Sequence, residues 1–454
     1  MAEELAPAEP VRERRWRSVE WAALAAWVAL AGAFVFLTRP GEGPDEPQHL
    51  AYVQSLAINH ELPEFTPAVR VSASGQIGTP QAQHPPTYYL LIAPIYAAAG
   101  GDEVLCYRLA RLVSVLLGVG TLLLVRLTAR AAFPDEPAVS AFAMVFVATF
   151  GTNAYIGGTI NNDPLATVFV AGGVYLTVRA LQAERPLRPM IVLGVATGAA
   201  LAVKLTAALL LGPIVVAAIV LGRREADRGW WRAAVLLGAG LAAAAIIAAP
   251  WYVRNALVLG EAFPRSDYRP LFMSPLAIVV DTGAMALLLL ATVDELLVGL
   301  WEPHWYFRGG ASWFTDRAMT TYGLALGAEP WLGRLPSVLI ALAGCIGVVV
   351  RWRSGLSGMQ RALVGACVAA LGIGVLGVWQ QATLQDWHVL DFAGRYTPAM
   401  VPALGLLLGL GYHALIPRRF RFRGVLVILV GLLAWDAHTA WLMEVLRVTR
   451  EHVF

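Results

Sequence analysis

The sequence predicts an all-α polytopic membrane protein with about eleven transmembrane helices, and three observations predict it. Only 14% of the 454 residues are charged and 58% are hydrophobic, whereas a soluble domain carries about 25% charged residues. Apolar runs long enough to cross a bilayer, roughly 20 residues each, recur along the whole chain. The connections between them, finally, alternate between arginine-rich and arginine-poor. A net charge of +3 is too small to point to nucleic acid. Three cysteines (Cys106, Cys345, Cys367) give neither a paired framework nor a metal spacing. The basic residues are 33 arginines and one lysine, a bias that, with so much Ala and Gly, points to a high-GC bacterium and its cytoplasmic membrane.

Taken in order, the runs bounded by charge are about 19–37, 109–125, 138–156, 164–178, 189–203, 205–222, 233–251, 336–350, 362–379, 398–416 and 424–443. Lys204 alone separates the fifth from the sixth, so nine spans is the alternative count. Residues 86–99 form a shorter run, and 276–300 carry Asp281, Asp294 and Glu295; both read as helices at the interface or tucked into protein rather than as spans. Placing Arg12, Arg14, Arg15 and Arg17 inside puts 20 of the 34 basic residues in short inside segments, near Arg126, Arg185, Arg223, Arg351 and Arg418. The chain therefore reads N-in and C-out. The apolar core of the first run exceeds the roughly 7–15 residues of a signal peptide, which makes it an uncleaved anchor. No period of about 20–50 residues and no inverted halves are visible.

In this topology two large segments, about 38–108 and 252–335, lie on the outer side of a single domain spanning 1–454. Smaller outer turns fall near 157–163 and 380–397. Trp301, Trp305, Tyr306, Trp313 and Phe314 suggest juxtamembrane helices packed on the surface. The unusual polar residues gather on this side too.

Pro44-Asp45-Glu46-Pro47-Gln48-His49 follows the first span. Pro47 suits the first turn of a helix over 47–59, with Asp45 and Glu46 at its positive end. They are either capping carboxylates or a base held at the mouth of the membrane, and His49 is either a second polar group or an interface residue. Gln83-His84-Pro85-Pro86-Thr87-Tyr88-Tyr89 starts another helix; on its own it is equally a rigid turn with an interfacial tyrosine pair. Asn161-Asn162-Asp163-Pro164 opens the fourth span and again offers a cap or a functional acid. Lys204 either snorkels or meets an anion. Arg254 and Arg395 sit at outer ends of spans, against the positive-inside trend, and a phosphate would explain them.

These motifs, with Trp251-Tyr252-Val253-Arg254-Asn255 and Gly394-Arg395-Tyr396, resemble in order those of the GT-C superfamily of polytopic glycosyltransferases, which includes protein mannosyltransferases and the lipid A aminoarabinose transferase. The chain looks most similar to a bacterial branch with an Asp-Glu-Pro-X-His motif, over about 19–416. The resemblance implies a sugar donor linked to polyprenyl phosphate, used on the extracytoplasmic face, and a glycan, lipid or protein acceptor. It implies catalytic roles for Asp45, Glu46 and Asp163, Asp45 matching the family's base. It places His49, His84, Tyr88, Lys204, Arg254 and Arg395 at the donor phosphate and sugar. No metal ligand set stands out, although a divalent ion is compatible with the acidic residues. The chain departs from many relatives in having no large C-terminal soluble domain, which leaves acceptor recognition to the outer loops or a partner.

The chemistry is coherent. An acceptor hydroxyl loses a proton as it attacks, and a carboxylate can take it; cations stabilise the phosphate that leaves. Direct attack inverts the anomeric centre. Two other readings stay open: a transporter or flippase of a glycolipid, which would carry charges near the bilayer midplane in repeated broken helices, and a polymerase or ligase using a pyrophosphate-linked donor.

Overall fold

The computed structural model describes residues 9–224, 229–263, 330–384 and 396–453, with residues 289, 290, 293 and 296. Most of 252–335 lies outside these, including nearly all of the 276–300 stretch and the aromatics between 301 and 314, as does Arg395 further along.

The chain is a helical bundle. The first half holds α1 (Glu9–Leu37), α2 (Glu46–Gln54), α3 (Thr87–Ala98), α4 (Glu103–Ala132), α5 (Pro137–Ala148), α6 (Gly151–Gly157) and α7 (Asp163–Gln182). The second holds α8 (Leu187–Leu201), α9 (Leu211–Gly222), α10 (Gly229–Leu259), α11 (Pro330–Gly355), α12 (Gly358–Leu384), α13 (Val401–Leu415) and α14 (Arg421–Val453). Ten of the eleven expected spans fall each on one of these helices, and 138–156 is divided between α5 and α6. Among the described residues eight helical segments are long and apolar enough to cross a membrane, and a ninth if α5 and α6, bent by 65°, count as one. The other two are α8, only 15 residues long, and α14. The short run at 86–99 is α3, whose 12 residues reach about 18 Å, too little to cross.

Two breaks shape the bundle. Between α5 and α6 the Thr149 hydroxyl bonds back to the Val145 carbonyl at 2.8 Å, and Phe150 turns extended. After α8, Lys204 is extended (φ −156°, ψ 140°) and a 3₁₀ turn, Leu205–Leu210, leads into α9.

Small residues let the helices approach closely, the usual device where lipid supplies no hydrophobic drive. A Cβ on Gly118 would lie 2.0 Å from the Trp27 ring, whose Nε1 donates to the Val115 carbonyl at 3.1 Å. On α13, Gly409 presses on Ala143 of α5, and Gly411 faces the Gly344 carbonyl of α11.

One end of the bundle is laced by charges. Arg126 and Arg130 both bind Glu20, at 2.7 and 2.8 Å, Arg351 pairs with Glu136, and Arg224 donates to the Leu181 carbonyl. The segments carrying the motifs meet at the other end.

There the connection from α1 to α4 holds more than helices. α2 runs on into a π-helical turn, Ser55–Asn59, close to the expected 47–59. A small sheet follows, β1 (Glu64–Phe65), β2 (Arg70–Val71) and β3 (Ile77–Thr79), in the order β1-β3-β2. β3 pairs parallel with β1 and antiparallel with β2. Strands of two or three residues are too short to show the alternation that betrays a strand in sequence, so the sheet had no visible signal. A separate apolar cluster, with Leu50, Tyr52, Tyr89, Ile92, Tyr107 and Val203 among its members, glues this cap to the tops of α4 and α8.

Candidate active site

Asp45 precedes α2 in the left-handed region (φ 55°, ψ 19°), and its side chain makes no capping hydrogen bond. Asp and Asn are the non-glycine residues that tolerate this conformation best. The carboxylate is thus not spent on the helix start, as the capping alternative required.

Glu46 is fully buried. Its Oε1 accepts from Arg111 Nε at 2.7 Å and from the Ile160 N–H at 2.9 Å. Its Oε2 accepts from Arg111 Nη2 at 2.7 Å and from the Gly43 N–H at 3.1 Å. Four donors saturate this carboxylate. Rather than capping at the surface beside Asp45, it faces inward and ties the first outer segment to the second.

Arg111 escaped the sequence reading. It was legible by the argument that singled out Arg254 and Arg395, being an arginine at the outer end of a span. Besides Glu46, it donates to the carbonyls of Val35, Thr38 and Arg39 at 3.1, 2.6 and 2.8 Å, which a helix C-terminus leaves without intrahelical partners.

The His84–Pro86 turn leads into a set of tyrosine contacts. Tyr88 accepts from the Asn161 N–H at 3.1 Å. The Tyr89 hydroxyl lies 2.9 Å from His49 Nδ1, and its ring stacks on Tyr52 at 3.8 Å. Tyr52 in turn donates to the His84 carbonyl at 3.2 Å. Burial pushes the Tyr89 hydroxyl well above the usual tyrosine range, reinforced by Tyr52, Tyr88, Asp163 and Asp45. Burial raises Tyr52 as well, opposed by the positive charge of Arg254.

Lys204 has its anion: its Nζ donates to Asp163 Oδ2 at 2.6 Å, the lysine 13% and the aspartate 4% exposed. Thr87 fixes the same junction through the Ala202 carbonyl. The end of α10 is bound to the 83–87 turn, because Trp251 Nε1 and Asn255 Nδ2 both donate to the Gln83 carbonyl at 3.0 Å. Arg254 lies over Trp251 at 5.0 Å and donates to Asn255 Oδ1.

Asp45, Glu46, His49, His84, Tyr88, Asp163, Lys204 and Arg254 thus share one end of the bundle, while Arg395 falls outside the described residues. Among the described residues no three of His, Cys, Asp and Glu form a metal-binding group. With Glu46 saturated and Asp163 paired to Lys204, these side chains do not fit a divalent ion.

Comparison with known proteins extends the geometry. Residues 83–253 match the family model described as dolichyl-phosphate-mannose-protein mannosyltransferase. Searches of curated proteins give no match. Among solved structures, the oligosaccharyltransferase of Archaeoglobus fulgidus, in complex with Zn and sulfate, aligns with 93% of this chain at 15% identity and a TM-score of 0.52. The alignment covers 53% of that protein, so this chain spans about half its length. ArnT from Cupriavidus metallidurans, bound to undecaprenyl phosphate, aligns with 86% of this chain and 78% of its own at 18% identity, with a TM-score of 0.37. The chain is a multi-pass membrane protein that shares its fold with the archaeal oligosaccharyltransferase, and its residues 83–253 match the mannosyltransferase family model.

Proposed function

We propose that the protein is an integral-membrane glycosyltransferase that moves a sugar from a polyprenyl-phosphate-linked donor to an acceptor hydroxyl. The observation that carries this reading is that Asp45, on the first outer segment and not used as a cap, shares one end of the bundle with Asp163 on the second, which holds Lys204 at 2.6 Å. The match of residues 83–253 to a family named for a dolichyl-phosphate sugar donor supports it.

In this reading Asp45 accepts the proton of the attacking hydroxyl. Direct displacement at the anomeric carbon inverts its configuration and releases polyprenyl monophosphate. Arg254, oriented by Trp251 and Asn255, and Arg395 take the phosphate charge as it develops. Lys204 serves the same phosphate at the cost of loosening its hold on Asp163. His49 and His84 position the tyrosines beside the carboxylates. Glu46 and Tyr88 act by holding the Ile160–Asn161 backbone rather than by touching donor. This end of the bundle faces away from the cytoplasm, because the arginine-rich connections lie at the other.

Incubating the purified protein with radiolabelled polyprenyl phosphate sugars and acceptor extract tests the reading. Turnover of one donor with release of the monophosphate is expected. Turnover only of a polyprenyl-pyrophosphate-linked sugar supplied in parallel, with release of polyprenyl pyrophosphate, would replace it with a polymerase or ligase. No turnover of any donor, with transbilayer movement of a glycolipid, would replace it with a transporter.

A further inference from the structure

The stretch from Ile160 to Asp163 leads from α6 into α7, and most of its polar groups have partners. The Ile160 and Asn161 N–H groups donate to Glu46 and Tyr88. Asp163 N–H donates to Asn161 Oδ1 at 2.9 Å, and Asp163 Oδ2 accepts from Lys204. Asn162 is the exception. Its side chain is 0% exposed, and neither its amide oxygen nor its amide nitrogen has a hydrogen-bond partner.

Asparagine is among the best helix N-caps, and Asn162 stands at the N-cap of the 20-residue α7, yet it makes no capping bond. Its backbone is in the right-handed helical region (φ −79°, ψ −10°) rather than the extended one a cap uses. Folded chains leave few buried amides unpaired, because each forfeits its hydration with nothing in return. The local fold thus gives Asn162 no structural use.

Its neighbours say what would satisfy it. An anion is disfavoured, since the Asp163 carboxylate already occupies the positive end of α7 and holds Lys204. A carboxylate accepts only, whereas an amide both donates and accepts. Side by side they match a pair of hydroxyls, one donating to Asp163 and one exchanging bonds with Asn162. Lys204 is the more exposed member of its pair, so a lysine drawn towards an incoming phosphate uncovers the Asp163 carboxylate, whose neighbour in the chain is Asn162.

We propose that the unpartnered Asn162 amide, beside Asp163, is the group that recognises the hydroxyls of the donor sugar. This rests on the glycosyltransferase reading above. It assigns sugar selection to the second outer turn and leaves phosphate binding to the cations.

The test measures binding of undecaprenyl phosphate, bare and as its glucosyl and mannosyl derivatives, to the full chain in nanodiscs. Wild type is compared with Asn162→Leu, which is close to isosteric, and Asn162→Ala. Both variants should bind the bare lipid as wild type does. Both should lose roughly 10- to 100-fold in affinity for the preferred glycosylated lipid, the worth of one or two hydrogen bonds. Their melting temperature should equal or exceed that of wild type, because an orphaned polar group is removed. Unchanged affinity for the glycosylated lipid overturns the inference, as does an equal loss for bare and glycosylated lipid or a lowered melting temperature in both variants. Failure of wild type to bind any of the three lipids instead overturns the donor reading on which the inference rests.

Discussion

Arg111 grips Glu46 with both arms of its guanidinium, Nε on Oε1 and Nη2 on Oε2, each at 2.7 Å and wholly out of water. Removing either partner leaves a buried charge uncompensated, which costs about 3–5 kcal/mol. Glu46→Gln and Arg111→Met should each lower the unfolding midpoint in detergent sharply. The double variant Glu46→Leu/Arg111→Met should lose less than the sum of the two single losses, the remainder reflecting the three carbonyls and two N–H groups that the pair also satisfies. Additive losses would mean that the two side chains do not work as a pair.

Asp45→Asn isolates chemistry from structure. Asparagine tolerates the left-handed backbone that Asp45 adopts, and no capping bond is there to lose. The variant should melt with wild type and bind undecaprenyl phosphate normally, while turnover drops by about 10²–10⁴-fold. Single-turnover assays on the preferred donor check it. Wild-type turnover would move the base to Asp163.

The Lys204–Asp163 pair should show itself in a double-mutant cycle. Lys204→Met and Asp163→Asn each leave one mostly buried partner behind, and the coupling should be roughly 0.5–3 kcal/mol in stability. Lys204→Met should also raise the KM for donor, since a cation near its phosphate is gone. A coupling near zero would place the two side chains apart in the membrane.

Alkali should unfold the cap. Burial keeps Tyr52, Tyr88 and Tyr89 protonated in the folded chain, while an unfolded tyrosine ionises near pH 10. A folded value above the unfolded one means stability is fully present below about pH 10 and is lost as pH rises beyond it. Each tyrosine then contributes a loss approaching about 1.4 kcal/mol per pH unit. Tyr52→Phe/Tyr89→Phe should flatten the decline, measured as melting temperature between pH 9 and 11. An unchanged slope would show that other groups govern alkaline unfolding.

The spans were legible because lipid imposes one rule, a long apolar run, and charge interrupts it at every connection. Lys204 was legible for the same reason, since a lone lysine in such a run needs an anion, and Asp163 is that anion. Glu46 was not separable from Asp45 by sequence. Adjacent carboxylates before a helix look alike until the backbone turns one into the bundle, and that turn is the positive φ of Asp45. Arg111 hid inside a helix whose expected start, residue 109, fell six residues after the observed one, Glu103. The sheet left no trace because its strands are shorter than one alternation.

In the proposed glycosyltransferase reading, the paired charges at this end of the bundle also set how the site meets its donor. Glu46 with Arg111 and Asp163 with Lys204 are each neutral units, so these four charges project little field past a Debye length of about 8 Å at physiological salt. Long-range steering of the kind that draws soluble ligands into charged clefts has little to act on here. Encounter is then a matter of two-dimensional traffic: the polyprenyl chain diffuses laterally in the leaflet and its headgroup finds the pocket at short range. Supply is governed by the mole fraction of donor in the bilayer, a quantity that dilution of the surrounding water leaves untouched.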